Sequence, residues 1–400
     1  MTSRDLHVLI VPSWYVTEEE PLSGIFFKEQ AIAVARAGVT VGVVHPELRP
    51  LPRLSGALFR KNHFQASIRI EDDIPVYRRH GWNLFPRMGR MKMHLWVHCL
   101  CGLARKYISE RGKPDLLHSH SAIWGGVAAR VLSQRHSIPY VLTEHRDDFL
   151  DDSLMPSPPG ESWLDRALRS AFGNASSVMP VSTALEQRLS KYLPGAPEKM
   201  SVLPNFVDSE FFSLPRATLP CTPFRLLSVS NLVRSKNNAF LLHTFAKFLS
   251  LEPSAFLEIG GDGPERPHLE ALIGTLGIAH NVKLLGQLSR LGVKDALHRT
   301  HAFILPSIRE TFGIVLIEAM STGIPVIATR CGGPEDIVTD DVGRLVNVND
   351  QGALIRAMLF VKNHASVFDA HRIRQNAIRR FGQDRVVRDL LAVYDACRAR

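Results

Sequence analysis

The chain has 400 residues, 45% hydrophobic and 22% charged, with a formal net charge of +9; that is enough apolar material for two globular domains and excludes a disordered chain. No run of about 18 uncharged apolar residues occurs, and Met1-Thr2-Ser3-Arg4-Asp5 leads into an apolar strand without a secretory h-region, so the expectation is a cytosolic protein. The five cysteines, Cys99, Cys101, Cys221, Cys331 and Cys397, are scattered and lack zinc-site spacing, which reads as reduced thiols.

Apolar runs alternate with helical periods throughout, which predicts an α/β chain of parallel sheets with helices on both faces. The first half predicts strands at 6–11, 39–44, 116–118, 140–143, 177–180 and 200–203. The second predicts them at 224–229, 255–259, 282–285, 302–305, 326–328 and 343–346. The pattern lapses around Phe211-Phe212-Ser213-Leu214-Pro215 and Leu219-Pro220-Cys221-Thr222-Pro223. That gives a first domain over 1–210, a linker over 211–223, a second domain over 224–383, and a last helix over 384–400 that packs across the boundary.

Charge is uneven along the first half. Between Arg49 and Lys106, Arg53, Arg60, Lys61, Arg69, Arg78, Arg79, Arg87, Arg90, Lys92 and Arg105 stand against Glu71, Asp72 and Asp73. Trp82, Phe85, Met88, Met91, Met93, Leu95 and Trp96 are interleaved with the later cations. Residues 87–97 therefore read either as a surface for anionic lipid head groups or as a solvated loop followed by an ordinary buried helix. No nucleic-acid module surrounds the segment, and no nucleic acid partner is expected.

The densest chemistry lies at Pro306-Ser307-Ile308-Arg309-Glu310-Thr311-Phe312-Gly313-Ile314-Val315-Leu316-Ile317-Glu318-Ala319-Met320. Pro306 ends a strand, and the period of Ile314, Leu316, Ile317 and Met320 starts a helix that Gly323 and Pro325 stop. Glu310 and Glu318 are then separated by up to roughly 12 Å, beyond the roughly 5–9.5 Å of paired glycosidase carboxylates. Such a spacing suits one elongated ligand held at two points, with helix N–H groups between them for an anion; a nucleoside diphosphate sugar has that shape. Gly261-Asp262-Gly263 lacks the third glycine of a dinucleotide fingerprint, since Arg266 stands there. The acidic pairs Asp72-Asp73, Asp151-Asp152 and Asp340-Asp341 lie in polar loops and read as solvated, so no metal is expected.

Six blocks follow one another in a recognisable order. They are Ser228-Val229-Ser230-Asn231-Leu232-Val233-Arg234-Ser235-Lys236, Gly260-Gly261-Asp262-Gly263-Pro264-Glu265, Val282-Lys283-Leu284-Leu285-Gly286, the two-glutamate block, Gly323-Ile324-Pro325-Val326-Ile327-Ala328, and Gly332-Gly333-Pro334-Glu335-Asp336-Ile337-Val338. With them the second half resembles the retaining glycosyltransferases of family 4. Their GT-B architecture sets two Rossmann-like doubly wound domains facing across a cleft. The first half resembles the family more loosely, through Ser23-Gly24-Ile25-Phe26, Asp115-Leu116-Leu117-His118-Ser119-His120, Thr143-Glu144-His145, Val181-Ser182 and Leu203-Pro204-Asn205-Phe206-Val207-Asp208.

The resemblance implies that Glu318 takes the donor ribose hydroxyls, while Glu310 and the amides of Phe312, Gly313 and Ile314 contact the sugar and phosphate. It implies Lys236 at the diphosphate, where a fixed cation offsets the charge on the leaving group. Asn231 stands where the family usually has an arginine, and Arg234 either reaches the same phosphate or is a solvated loop cation. Gly261 and Gly263 let the backbone approach the nucleotide. Gly24 either admits the diphosphate or sugar from the other domain or simply turns the chain into its first helix. His120 is implied to sit near the donor sugar, positioning hydroxyls or stabilising positive charge through its backbone carbonyl, and His118 to pack. Glu144, His145 and Arg146 are acceptor-side candidates.

The implied activity is retaining transfer of a sugar from a UDP- or GDP-linked donor to a hydroxyl of a saccharide or lipid-linked acceptor. The setting would be cell-surface polysaccharide synthesis in the cytoplasm, at the inner face of the membrane, without cofactor. A sugar-nucleotide epimerase or hydrolase on the same fold, and a non-catalytic nucleotide-sugar-binding protein, are the alternatives.

Overall fold

The computed structural model describes residues 6–151, 162–215, 220 and 222–398. Met1–Asp5, Asp152, Cys221, residues 216–219 of the expected linker and residues 399–400 of the last helix lie outside them. The contacts divide the described chain into two compact units. The first holds residues up to Val181, Leu185–Leu203 and the chain from Val387 onward; the second holds Ser182–Ala184 and Pro204–Val386.

The first unit is a seven-stranded sheet of β1 (His7–Pro12), β2 (Thr40–Pro50), β3 (Ala66–Glu71), β4 (Ile74–Asn83), β5 (Leu116–His120), β6 (Tyr140–Glu144) and β7 (Ser177–Pro180), in the order β3-β4-β2-β1-β5-β6-β7. Its central strands are buried along almost their whole length, polar His118, Ser119, His120, Thr143 and Glu144 included, as in a sheet covered on both faces. Gly42 on β2 is required by that covering. A Cβ there would lie 2.2 Å from the Tyr107 ring of the helix Gly89–Arg111.

Two departures from the expected strands have plain causes. β3 and β4 form an antiparallel hairpin inside the basic segment, closed by Asp72 and Asp73 at φ 49° and 67°; two left-handed residues make the tight turn that matches strand twist. This pair was read only as a solvated loop. Residues 200–203 form no strand and keep a single bridge, Val178 to Met200.

The second unit is a parallel six-stranded sheet of β8 (Arg225–Val229), β9 (Phe256–Gly260), β10 (Val282–Gly286), β11 (Ala302–Leu305), β12 (Val326–Thr329) and β13 (Gly343–Val346), in the order β10-β9-β8-β11-β12-β13. Phe212, placed in the linker by composition, is 1% exposed. Its carbonyl accepts from Ser321 and Arg374 at 2.8 and 2.7 Å, which ties this stretch to the second unit.

The basic segment is neutralised in its first part. Arg49 pairs with Glu19 and Glu47, Arg53 with Glu20 and Arg69 with Glu18, at 2.5–3.3 Å, and Arg78 pairs with Glu71. The acidic run 18–20 thus answers cations that sequence counting left unbalanced. Trp82, Met93 and Trp96 are buried, whereas Leu84, Met88 and Met91 are exposed, so only part of the expected lipid-facing set faces outward. No helix of the described residues is long and apolar enough to cross a membrane. Cys99, Cys101 and Cys331 are free thiols.

The last helix, Gln383–Arg398, buries Val387, Leu390 and Tyr394, and the Tyr394 hydroxyl lies 2.6 Å from Nδ1 of the fully buried His118. Tyr394→Phe strands that ring nitrogen at a cost of about 1–3 kcal/mol. We expect thermal unfolding to occur several degrees lower; an unchanged melting temperature would show the bond to be dispensable.

Candidate functional site

In the second unit the strand order reverses between β8 and β11, and loops leaving the carboxyl ends of such strands form the ligand crevice of an open sheet. The loop after β8 carries Lys236, and the loop after β11 carries Glu310. Their side chains meet, with Nζ donating to Oε2 at 2.6 Å, and are 20% and 14% exposed. The two residues assigned separately to diphosphate and sugar therefore form one ion pair.

Backbone contacts fix this pair from three sides. Ile308 N–H donates to the Ser235 carbonyl at 2.7 Å, tying the two loops together. Glu310 N–H donates to the Cys331 carbonyl at 3.2 Å, and its own carbonyl accepts from Gly333 at 2.7 Å. A Cβ on Gly333 would lie 2.3 Å from the Phe312 Cα, so only glycine allows this approach. Glu335 holds the glycine loop in turn, accepting from the amides of Cys331 and Gly332 at 3.1 and 3.0 Å. Glu335 and Ser307, whose hydroxyl is 3.5 Å from Glu310 Oε2, had no assigned role in the sequence. The Gly332-Gly333-Pro334-Glu335 block was the signal for Glu335, and the two-glutamate block for Ser307.

Gly313, at φ 98° and ψ 60°, turns the chain into the helix Ile314–Ser321. The amides of Phe312, Gly313 and Ile314 donate to no acceptor among the described residues, and the Phe312 ring is packed against Phe381. Three open N–H groups at a helix N-terminus form an anion cradle. Glu318 is half-buried on the same helix.

The loop after β9 packs on the loop after β8. Ser230 N–H donates to the Gly260 carbonyl at 3.0 Å and Leu232 N–H to the Asp262 carbonyl at 2.9 Å. A Cβ on Gly261 would lie 1.8 Å from the Ser230 carbonyl, and one on Gly263 2.5 Å from that of Leu232. Their glycines thus serve loop-to-loop contact first. Arg234 is 93% exposed at its side chain and faces Glu265 at 3.5 Å, so its guanidinium stands in solvent against a carboxylate.

In the first unit, the strand order reverses between β1 and β5. Gly24, at φ 74°, caps the helix Ile25–Arg36 against Trp14, and Phe27 of that helix stacks on His120 at 4.4 Å and meets His145 at 4.9 Å. Gly24, His120 and His145 are thereby brought together. The His120 carbonyl accepts from the Ser13 amide and hydroxyl at 3.1 and 2.8 Å. The carbonyl implied to stabilise positive charge is thus engaged twice by Ser13.

Glu144 is fully buried, with Oε2 accepting from Ala122 at 2.7 Å and Oε1 from His145 and Arg146 at 2.9 and 3.0 Å. Burial raises its pKa, and these amides oppose the rise. The carboxylate clasps the loops after β5 and β6 rather than facing an acceptor. Arg146 pairs with Asp148 and lies 5.9 Å from the Trp14 ring.

Comparison with known proteins fits this geometry. The model described as Glycosyltransferase Family 4 matches residues 24–211, and that described as Glycosyl transferases group 1 matches residues 213–380. The chain belongs to glycosyltransferase family 4. A Bacillus subtilis (strain 168) glycosyltransferase named for teichuronic acid biosynthesis is 29% identical over 88% of both chains. The N-acetyl-alpha-D-glucosaminyl L-malate synthase of Bacillus anthracis is 28% identical over 72% of this chain and 76% of its own. Among solved structures, a sucrose-phosphate synthase from Thermosynechococcus elongatus aligns over 98% of this chain and 99% of its own, with TM-score 0.77 at 19% identity. Anabaena HepE in complex with UDP-glucose aligns over 98% and 100%, with TM-score 0.69 at 19% identity. The fold is GT-B, and this family 4 protein is a glycosyltransferase.

The imidazoles of the first unit generate a pH prediction. Burial pushes His118 and His145 down to about 3 and holds His120 well below its usual value. All three are neutral in the folded enzyme, whereas the unfolded chain takes up protons below about pH 6.5. Their stability contribution is therefore complete above about pH 6.5 and lost as pH falls toward 3. Glu144, with its raised pKa, acts in the opposite sense, leaving a net loss of roughly 1.4 kcal/mol per pH unit for each uncompensated imidazole. Urea unfolding between pH 7.5 and 5 checks this; a flat profile would contradict it.

Proposed function

We propose that this glycosyltransferase moves a sugar, with retention at the anomeric carbon, from a nucleoside diphosphate donor to a hydroxyl of a saccharide or lipid-linked acceptor. The observation that carries the reading is the Lys236–Glu310 pair beside the open amides of Phe312, Gly313 and Ile314. An incoming diphosphate offers Lys236 a second anionic partner and the three amides an acceptor. Glu310, released in part from the lysine, turns to the sugar hydroxyls. Glu318 accepts from the ribose diol through charge-assisted bonds.

No carboxylate is assigned as a nucleophile. The glycosidic bond breaks toward an oxocarbenium-like ion pair, the departing phosphate takes the acceptor proton, and the acceptor attacks the same face. Lys236 stabilises the charge that builds on the diphosphate, and the reaction runs without metal. A UDP-linked donor is supported by HepE having been solved with UDP and with UDP-glucose. A cell-surface polysaccharide pathway is supported by the name of the Bacillus subtilis relative. Docking at the inner face of the cytoplasmic membrane is supported by exposed Leu84, Met88 and Met91 beside exposed Arg87 and Arg90.

Glu318→Ala is expected to weaken binding of the nucleoside diphosphate at least tenfold, about 1.4 kcal/mol, with the melting temperature retained. Calorimetry with UDP and GDP reads this, and an unchanged affinity would remove Glu318 from the ribose. Lys236→Ala should slow transfer by roughly two orders of magnitude, while EDTA leaves the native rate intact. An enzyme killed by EDTA and restored by magnesium would overturn the metal-free mechanism.

A further inference from the structure

The first unit carries a cavity that the donor chemistry leaves unused. Its volume is about 260 Å³, just below the roughly 300–1,000 Å³ that drug-sized ligands occupy, so it suits a single sugar ring. Lys92 and Trp96, read from sequence as membrane contacts, line it together with Trp124, His45, Glu47 and Asn83. Trp96 and Trp124 approach to 6.0 Å between ring centroids. Indole faces of this kind receive the C–H face of a pyranose, while carboxylate, amide and imidazole groups take its hydroxyls.

Three observations mark the cavity as built for a ligand. Trp124 is held at φ 74° and ψ −75°, a conformation rare for a bulky residue and retained where the surroundings enforce it. Ser13 supplies that enforcement, with its hydroxyl within reach of the carbonyls of Ser121 and Ile123 at 3.0 and 2.5 Å and accepting from Gly125 at 3.0 Å. His45 is 6% exposed, and its Nδ1 has no hydrogen-bond partner among the described residues. The charges in the wall are also unequal in their pairing. Glu19, Glu20 and Glu47 are taken by Arg49 and Arg53. Lys92 instead lies 5.0 Å from the Trp124 ring centroid and makes no ion pair among the described residues.

We propose that this cavity is the acceptor subsite and selects a pyranose bearing a carboxylate or a phosphate, its ring on Trp124 and its anion on Lys92. The inference rests on the transfer reaction proposed above. It moves the acceptor contact from Glu144, whose oxygens are occupied, to the ends of β2 and β4 and the start of the helix Gly89–Arg111.

The test is titration of the full chain with D-glucuronic acid, glucose 6-phosphate and glucose, followed by calorimetry and tryptophan fluorescence. At least one anionic sugar should bind about tenfold more tightly than glucose, the size of one charge-assisted hydrogen bond, and the two anionic arms tell carboxylate from phosphate. Lys92→Gln should erase that preference and Lys92→Arg restore it, with nucleotide affinity unchanged in both. Equal binding of all three sugars, no binding by any of them, or a preference that survives Lys92→Gln would overturn the proposal. Loss of nucleotide binding in the native chain would instead count against the donor reading, which separates the two failures.

Discussion

The 2.6 Å contact between Lys236 and Glu310 is the interaction on which the crevice of the second unit is organised. It links loops that are neighbours only because β8 and β11 pair at the point of strand-order reversal. Opposite charges at this depth attract more strongly than in bulk water, yet the pair retains some solvent access and can exchange partners with an anion. Much of the surrounding backbone keeps the contact in place. Gly333 approaches Phe312 closely, Glu335 fastens the glycine loop, and Ser235 receives Ile308.

The corresponding reversal in the first unit has the opposite character. Neutral imidazoles, Phe27 and a wholly buried Glu144 replace the ion pair, and Ser13 gathers carbonyls from the loop after β5. The same sheet topology therefore presents a charged crevice in one unit and an aromatic, neutral one in the other. The division follows from composition at strand ends. Cations and open amides gather at one reversal, whereas buried imidazoles beside Phe27 gather at the other.

Charge balance in the first unit shows why counting along a window misleads. The segment after Arg49 is rich in cations, but its partners Glu18, Glu19 and Glu20 precede it by some thirty to fifty residues, as in Arg49 to Glu19 and Arg69 to Glu18. The end of β2 carries Arg49 and the hairpin of β3 and β4 carries Arg69 to the acidic loop. Outward-facing residues of the segment include Arg60 and Lys61 and a set around Leu84, Arg87, Met88 and Arg90.

Much of this protein was legible in the order of its residues. Apolar runs and their helical spacers marked eleven of the thirteen strands among the described residues, because strands buried on both faces are rich in apolar residues. The glycine and glutamate blocks marked the strand-end loops on which Lys236 and Glu310 meet, since strand ends are where an open sheet places its ligand crevice. The hairpin at Asp72-Asp73 was missed because its turn lacks glycine and its strand β3 is largely exposed, which weakens the apolar signal. Tertiary structure alone decided which charges meet, which histidine groups are closed off, and whether Trp96 faces lipid or a cavity. Such outcomes depend on contacts between residues far apart in the chain, and local pattern does not encode them.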